Sequence, residues 1–169
     1  MLRHTRERYR KLVDNSIQGM VVFQGEPPTV AYVTPGFSNI LGYSREELLS
    51  FTPDEMRQVV HTEDREKVFA RYGKRMAGKN VASNYELQLF ARDGSVRWLR
   101  VHATRIDWDG QPSSLATYVD VTEEKRRETE LTSMRRRLER LLEASNTAVV
   151  AINRDMKVLA ANQVLPDNR

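Results

Sequence analysis

The hydrophobic positions of this chain change period along its length, and the changes mark out its elements. Residues 3–15 are charged with Tyr9, Leu12 and Val13 on one side, which predicts a helix. Residues 19–24 carry a compact apolar run, Met-Val-Val-Phe, and 29–33 a second one, separated by Gly-Glu-Pro-Pro; proline cannot donate to a ladder, so the two read as a hairpin. Pro35 opens a short helix that Gly42 ends. Ser44 and Glu47 have the spacing of a capping box before a helix over 45–49, and Thr52-Pro-Asp-Glu starts another helical turn. A longer helix, from Thr62 or Glu63 to about Ala77, places Val68, Phe69, Tyr72 and Met76 on one face. Beyond Gly78 the period falls to two. Residues 83–91 alternate with Tyr85, Leu87 and Leu89 on one face, 96–108 with Leu99, Val101 and Ala103, and 113–121 form a last strand. Asp93-Gly94 and Asp109-Gly110 are tight-hairpin signals between them. The order predicts an α+β fold: a five-stranded antiparallel sheet with helices inserted after the second strand, plus flanking helices at both ends.

A helix over 122–144 follows, about 34 Å long at ~1.5 Å per residue. Leu131, Met134, Leu138 and Leu141 recur along it at spacings of 3, 4 and 3, a seam covering two heptads. This predicts a parallel homodimer, with packing of the helix on its own domain or on a partner domain as the alternative. The chain's opening also recurs near its end at an offset of 129: Leu12, Ser16 and Val21 return as Leu141, Ser145 and Val150. The expected organisation is therefore an N-terminal helix (1–15), a complete domain (16–121), a linker helix (122–144), and the truncated start of a second copy (145–169), frayed or swapped onto a neighbour.

Composition narrows the function. With no cysteine in 169 residues, disulfides, thiolate metal sites and cysteinyl adducts are excluded. No apolar run approaches a membrane span and no signal-peptide core opens the chain, so the expected setting is cytoplasmic, without direct membrane insertion; a parent protein anchored elsewhere stays open. The net charge of +4 comes largely from arginine and lysine runs in helical segments. These runs are interleaved with Glu7, Glu123, Glu124, Glu128, Glu130 and Glu139, the pattern of a solvated helix face rather than of a nucleic-acid surface. The chain holds no Gly-rich phosphate loop, no HExxH and no nucleophile elbow. The acid pairs Glu46/Glu47 and Glu63/Asp64 sit at helix starts, where the helix dipole explains them. No catalytic residue and no metal ligand set is expected.

Four segments in order carry a family resemblance. Val33 to Leu48 reads Val-Thr-Pro-Gly-Phe-Ser-Asn-Ile-Leu-Gly-Tyr-Ser-Arg-Glu-Glu-Leu; His61 to Asp64 reads His-Thr-Glu-Asp; Tyr85-Glu86 leads to Arg92-Asp93-Gly94-Ser95-Val96-Arg97-Trp98; and Asp120 to Glu123 reads Asp-Val-Thr-Glu. Together they resemble a PAS domain with its C-terminal PAC region (roughly 82–124), as found in multi-domain sensor histidine kinases, and the tail resembles the start of another. Thr34 stands where the family usually has Asn, and Thr62 where it usually has Pro.

The resemblance implies a sensor or relay module rather than an enzyme, whose output domain lies outside this sequence. It implies that Asp120, Thr122 and Glu123 couple the sheet to the exit helix, although a plain helix cap explains the same residues. It implies a small-molecule pocket enclosed by Phe37, Leu41, Val68, Tyr72, Leu87, Leu99 and Val101; a solid core is the alternative reading of those positions. Haem relatives place an axial histidine on the long helix, where this chain has only Tyr72, and cysteinyl-flavin photochemistry needs a cysteine, so the resemblance argues against both and leaves any ligand unidentified. His4, His61 and His102 lack the neighbourhood of a kinase phosphoacceptor. The functional expectation is a cytosolic PAS relay of a histidine kinase, acting as a homodimer. The alternative is a ligand-free dimerisation scaffold in a diguanylate cyclase or a transcription factor.

Overall fold

A computed structural model describes residues 18–144 and 150–161. The helix expected over 3–15 lies outside the described residues, as do 145–149 and 162–169 of the expected second copy. The chain divides into two units between Glu123 and Glu124.

In the first unit, five antiparallel strands form one sheet in the order β2-β1-β5-β4-β3. They are β1 (Gly19–Gln24), β2 (Thr29–Val33), β3 (Asn84–Phe90), β4 (Val96–Trp108) and β5 (Gln111–Asp120). Between β2 and β3 the chain forms α1 (Pro35–Leu41), α2 (Arg45–Ser50), α3 (Pro53–Val59) and α4 (Thr62–Met76). The pattern of apolar positions thus located every strand of the sheet. The last strand begins two residues earlier than expected because Asp109 and Gly110, both at positive φ (52° and 76°), make a two-residue turn that pairs Trp108 directly with Gln111.

Local chemistry sets the helix starts. Ser44 and Glu47 exchange both bonds of a capping box, Glu47 N–H donating to Ser44 Oγ (3.1 Å) and Ser44 N–H to Glu47 Oε2 (2.7 Å). Thr52 and Glu55 repeat the device on α3 (3.3 and 2.8 Å), and the Thr52 donors hold the exposed Glu55 carboxyl below its ordinary range. His61 caps α4 as the expected helix start: its Nδ1 accepts from Glu63 N–H at 3.4 Å. Asp64, one turn on, accepts from Gln88 N–H at 2.8 Å and so ties α4 to β3.

The apolar stripe of each strand meets the helices in a single core. Val21, Val33, Leu41, Leu48, Leu87, Leu99 and Val101 are at most 2% exposed, and each such side chain stabilises the fold by about 1.5–3 kcal/mol on burial. Gly19 is required where it stands: a Cβ there would lie 2.9 Å from Phe37, so α1 packs directly on the β1 backbone. Thr34, in the position of the family's usual Asn, is fully buried and fastens the same corner, its Oγ1 accepting from Met20 N–H (2.8 Å) while its own N–H donates to Met20 O (3.0 Å).

α5 (Thr122–Glu143) leads from the first unit into the second, which also contains the antiparallel hairpin β6 (Val150–Ile152) and β7 (Val158–Ala161). The register of β1 against β2 slips between Val22 and Phe23, and that of β6 against β7 between Ala151 and Ile152. The two slips are 129 residues apart, the offset of the sequence repeat.

Candidate functional site

Between α1–α4 and the inner face of the sheet lies a cavity of about 70 Å³. Phe37, Leu41, Val68, Tyr72 and Leu87, all predicted as pocket residues, line it. Leu99 and Val101 do not: they are buried in the same sheet but fill their own space. The hollow opens instead over Ala103, Ala116 and Ser114, where Ala103 and Ala116 pair across β4 and β5 and their short side chains leave volume unfilled. A cavity forms where side chains are small, and a periodicity that scores large apolar residues points beside it.

Of the cavity's polar side chains the sequence reading named Tyr72 alone; Arg75, Tyr85 and Tyr118 line it as well. Tyr72 donates its hydroxyl to Gly25 O at 2.7 Å, and burial, followed by the nearby Glu26 carboxylate, pushes its phenol up to about 12. Burial also raises Tyr85, an effect that the Arg75 and Arg71 guanidiniums oppose, and it raises Tyr118 far above the ordinary phenol range. All three are therefore neutral hydrogen-bonding groups at ordinary pH. Between pH 10 and about 12 the folded chain keeps the Tyr72 proton that the unfolded chain releases, so stability falls as pH rises through that window. Denaturant unfolding at a series of alkaline pH values should show this decline, and Tyr72→Phe should make it shallower while leaving the share that the raised Tyr85 and Tyr118 contribute.

Among the described residues Arg75 is the one charged side chain lining the cavity, and it is only 6% exposed. Its Nη2 donates to Ala82 O at 3.4 Å, and no carboxylate among the described residues lies within ion-pair distance of it. Arg71, one turn earlier, stacks over the Tyr85 ring at 4.5 Å. A buried cation without a counter-ion destabilises a fold. Arg75→Met, which keeps the apolar stem and removes the charge, should therefore raise the unfolding free energy by about 1 kcal/mol, read from thermal melting. A loss of similar size would show that the guanidinium is satisfied as it stands.

A second constellation joins the sheet to α5. Thr122 is 3% exposed. Its hydroxyl accepts from Trp98 N–H (2.9 Å) and donates to Asp120 Oδ1 (2.5 Å), which also accepts from Thr122 N–H (2.9 Å). Val121 N–H donates to Trp98 O (2.8 Å), and Arg97 Nη1 lies 4.0 Å from Asp120 Oδ2. The first residue of the exit helix is thus bonded to the start of β4 and the end of β5 together. Of the three predicted coupling residues, Asp120 and Thr122 are brought into one network, while Glu123 is exposed at the first turn of the helix. Thr122→Val keeps the shape but strands the Trp98 N–H, at a cost of about 1–3 kcal/mol. Chemical denaturation should show that loss, with Thr122→Ser retaining most of the stability.

Along α5 the predicted seam residues share one property. Leu131, Met134, Leu138 and Leu141 are 61–68% exposed. Between them Arg135 and Glu139 pair at 3.0 Å across one turn. Of the histidines, His102 is exposed with its ring nitrogen 2.8 Å from Asn84 Oδ1, His61 caps α4, and His4 lies outside the described residues. Among the described residues no three His, Asp or Glu side chains group as a metal site, and no helix is long and apolar enough to cross a membrane.

A family model described as the PAS fold matches residues 30–119, more than half of the chain. The chain belongs to the PAS fold family. A solved PAS domain of an HTR-like protein from Haloarcula marismortui is 26% identical, with a TM-score of 0.58 over 70% of this chain and 93% of that one. A sensory box histidine kinase/response regulator from Burkholderia thailandensis E264 is 24% identical (TM-score 0.58, 79% and 98% covered). A domain of a sensory box sensor histidine kinase/response regulator from Geobacter sulfurreducens is 20% identical (TM-score 0.54, 71% and 97% covered). At those identities the last two show a shared fold. A search of curated proteins gave no match. PAS domains are sensory modules.

Proposed function

We propose that this PAS domain is the relay of a homodimeric signalling protein, a sensor histidine kinase by analogy with the Burkholderia and Geobacter proteins that share its fold. A change in the cavity shifts the inner sheet, the Asp120–Thr122–Trp98 network passes the shift to α5, and the paired helices carry it to an output domain. The observation that supports this reading best is the row of four large apolar side chains, each more than 60% exposed, at coiled-coil spacing on the helix that leaves the sheet. The hairpin β6–β7, with its register slip at the repeat offset, supports the tail as the opening hairpin of a second PAS module.

The absence of cysteine makes a direct test available. Single cysteines placed at 131, 134, 138 and 141 should each form an intermolecular disulfide with their own copy in the full chain, whereas cysteines at 133 and 137 should not. Cross-linking with no preference for the seam positions would remove the parallel dimer and with it the relay. The cavity's small volume favours one other reading, a ligand-free dimerisation scaffold in another kind of regulator; it predicts the same cross-links, and no change in them under any cavity substitution.

A further inference from the structure

The cavity joins features that select one kind of occupant. Its walls are apolar apart from Ser114, three neutral tyrosines and a single cation, Arg75. That cation is 94% buried by its 6% exposure and has no carboxylate partner among the described residues. One positive charge at the end of an apolar cavity complements one negative charge at the end of an apolar molecule. A phosphate dianion would face one guanidinium and a hydrocarbon wall, and an amine would face Arg75 with like charge. Volume bounds the length: an apolar cavity of about 150 Å³ holds benzene, so one of about 70 Å³ suits an acid of roughly two to four carbons.

We infer that the cavity binds a short aliphatic monocarboxylate, with its carboxylate on the Arg75 guanidinium and its alkyl end among Phe37, Leu41 and Val68. The inference rests on the sensory reading above and names the chemistry of its signal. The ligand supplies a counter-ion that the described residues do not, so the empty domain is held in a less stable state and binding stabilises it. Tyr85 and Tyr118, kept protonated by burial, are placed to donate to the second carboxylate oxygen. Arg71, stacked on Tyr85, adds positive potential to that end without lining the cavity.

The test is an NMR titration of the full chain with sodium propanoate and with propanamide, its neutral counterpart of equal size, at matched ionic strength. The expected result is saturable shifts of Tyr85, Tyr118 and Arg75 signals by propanoate, at least tenfold weaker binding of propanamide, and a fall in affinity as the acid lengthens from butanoate to hexanoate. Arg75→Gln should weaken propanoate at least tenfold and Arg75→Lys should recover part of that loss. Ala116→Leu, or Ala103→Val if that variant does not fold, should abolish binding by filling the hollow. Equal binding of acid and amide, undiminished binding to Arg75→Gln, or no saturable shift with any acid would each overturn the inference. The contrast of acid with amide on the unaltered chain decides the matter even if a variant is lost. A failure here leaves the seam cross-links in place, whereas a monomer that binds propanoate would remove the relay and keep the ligand.

Discussion

Replacing Leu131 and Leu138 together by serine should convert the proposed dimer to a monomer and leave the melting of the PAS domain unchanged. In one protomer the two side chains are 68% and 61% exposed, so their loss takes nothing from the protomer's own core. In a parallel dimer each is buried against its copy, and each burial contributes about 1.5–3 kcal/mol per side chain. Four such side chains disappear from one dimer, so the dissociation constant should rise by at least about a thousandfold. Light scattering of the full chain reads the change as a fall from twice the 19.6 kDa chain mass to the chain mass itself. Serine at the exposed positions 133 and 136, Ser133 being native and Arg136→Ser its counterpart, serves as the control and should leave the mass unchanged. A double variant that remains dimeric would place the association elsewhere.

The second large effect is internal. Phe37 is 4% exposed, lies against the Gly19 backbone at 2.9 Å from where a side chain there would begin, and meets the Tyr118 ring at a centroid distance of 4.6 Å. Phe37→Ala should cost about 3–5 kcal/mol, because the ring is removed from a corner that the β1 backbone and α1 cannot close. That is a large share of the ~5–15 kcal/mol by which a domain of this size is held folded. Urea denaturation should show the loss as a lower midpoint with an unchanged slope. A cost below about 1 kcal/mol would mean that α1 collapses onto the sheet. The substitution also enlarges the cavity, so longer acids should gain affinity relative to propanoate in the surviving folded fraction.

Much of this architecture is legible in the residues because the deciding signals are local. Ser44 with Glu47, and Thr52 with Glu55, start helices through bonds that span three positions, and Asp109-Gly110 sets a hairpin within two. The alternation of Leu99, Val101 and Ala103 fixes which face of β4 is buried. The cavity is less legible because it is made by what is missing. Ala103, Ala116 and Ser114 contribute little to any hydrophobic pattern, and only their pairing across two strands shows that the gaps coincide. Arg75 reads in sequence as one more cation on a charged helix. The available signal was its spacing of three from Tyr72, which puts it on the buried face. Leu99 and Val101 were expected at the cavity for the converse reason: they are large enough to be core, and so they leave no space around themselves.

The Asp120–Thr122 junction also has a dual reading in sequence, as cap and as coupler, and its geometry sharpens the question. Asp120 Oδ1 receives both the hydroxyl and the N–H of Thr122 as a local cap would. The same hydroxyl accepts from Trp98 N–H, 24 positions away, which a cap does not need. On the proposed relay, that long-range bond is the one through which displacement of β4 would reach the helix.

The measurement that tests the relay most directly is the distance between nitroxide labels on Met134→Cys in the proposed dimer of this chain, read by pulsed electron resonance with the junction intact and with Thr122→Val. The account predicts one narrow distance with the intact junction and a shifted or broadened one once the Thr122 hydroxyl is removed, with Thr122→Ser restoring the original. An identical distribution in all three, from protein that is folded and dimeric, would contradict transmission through this junction and leave α5 as a dimerisation handle alone.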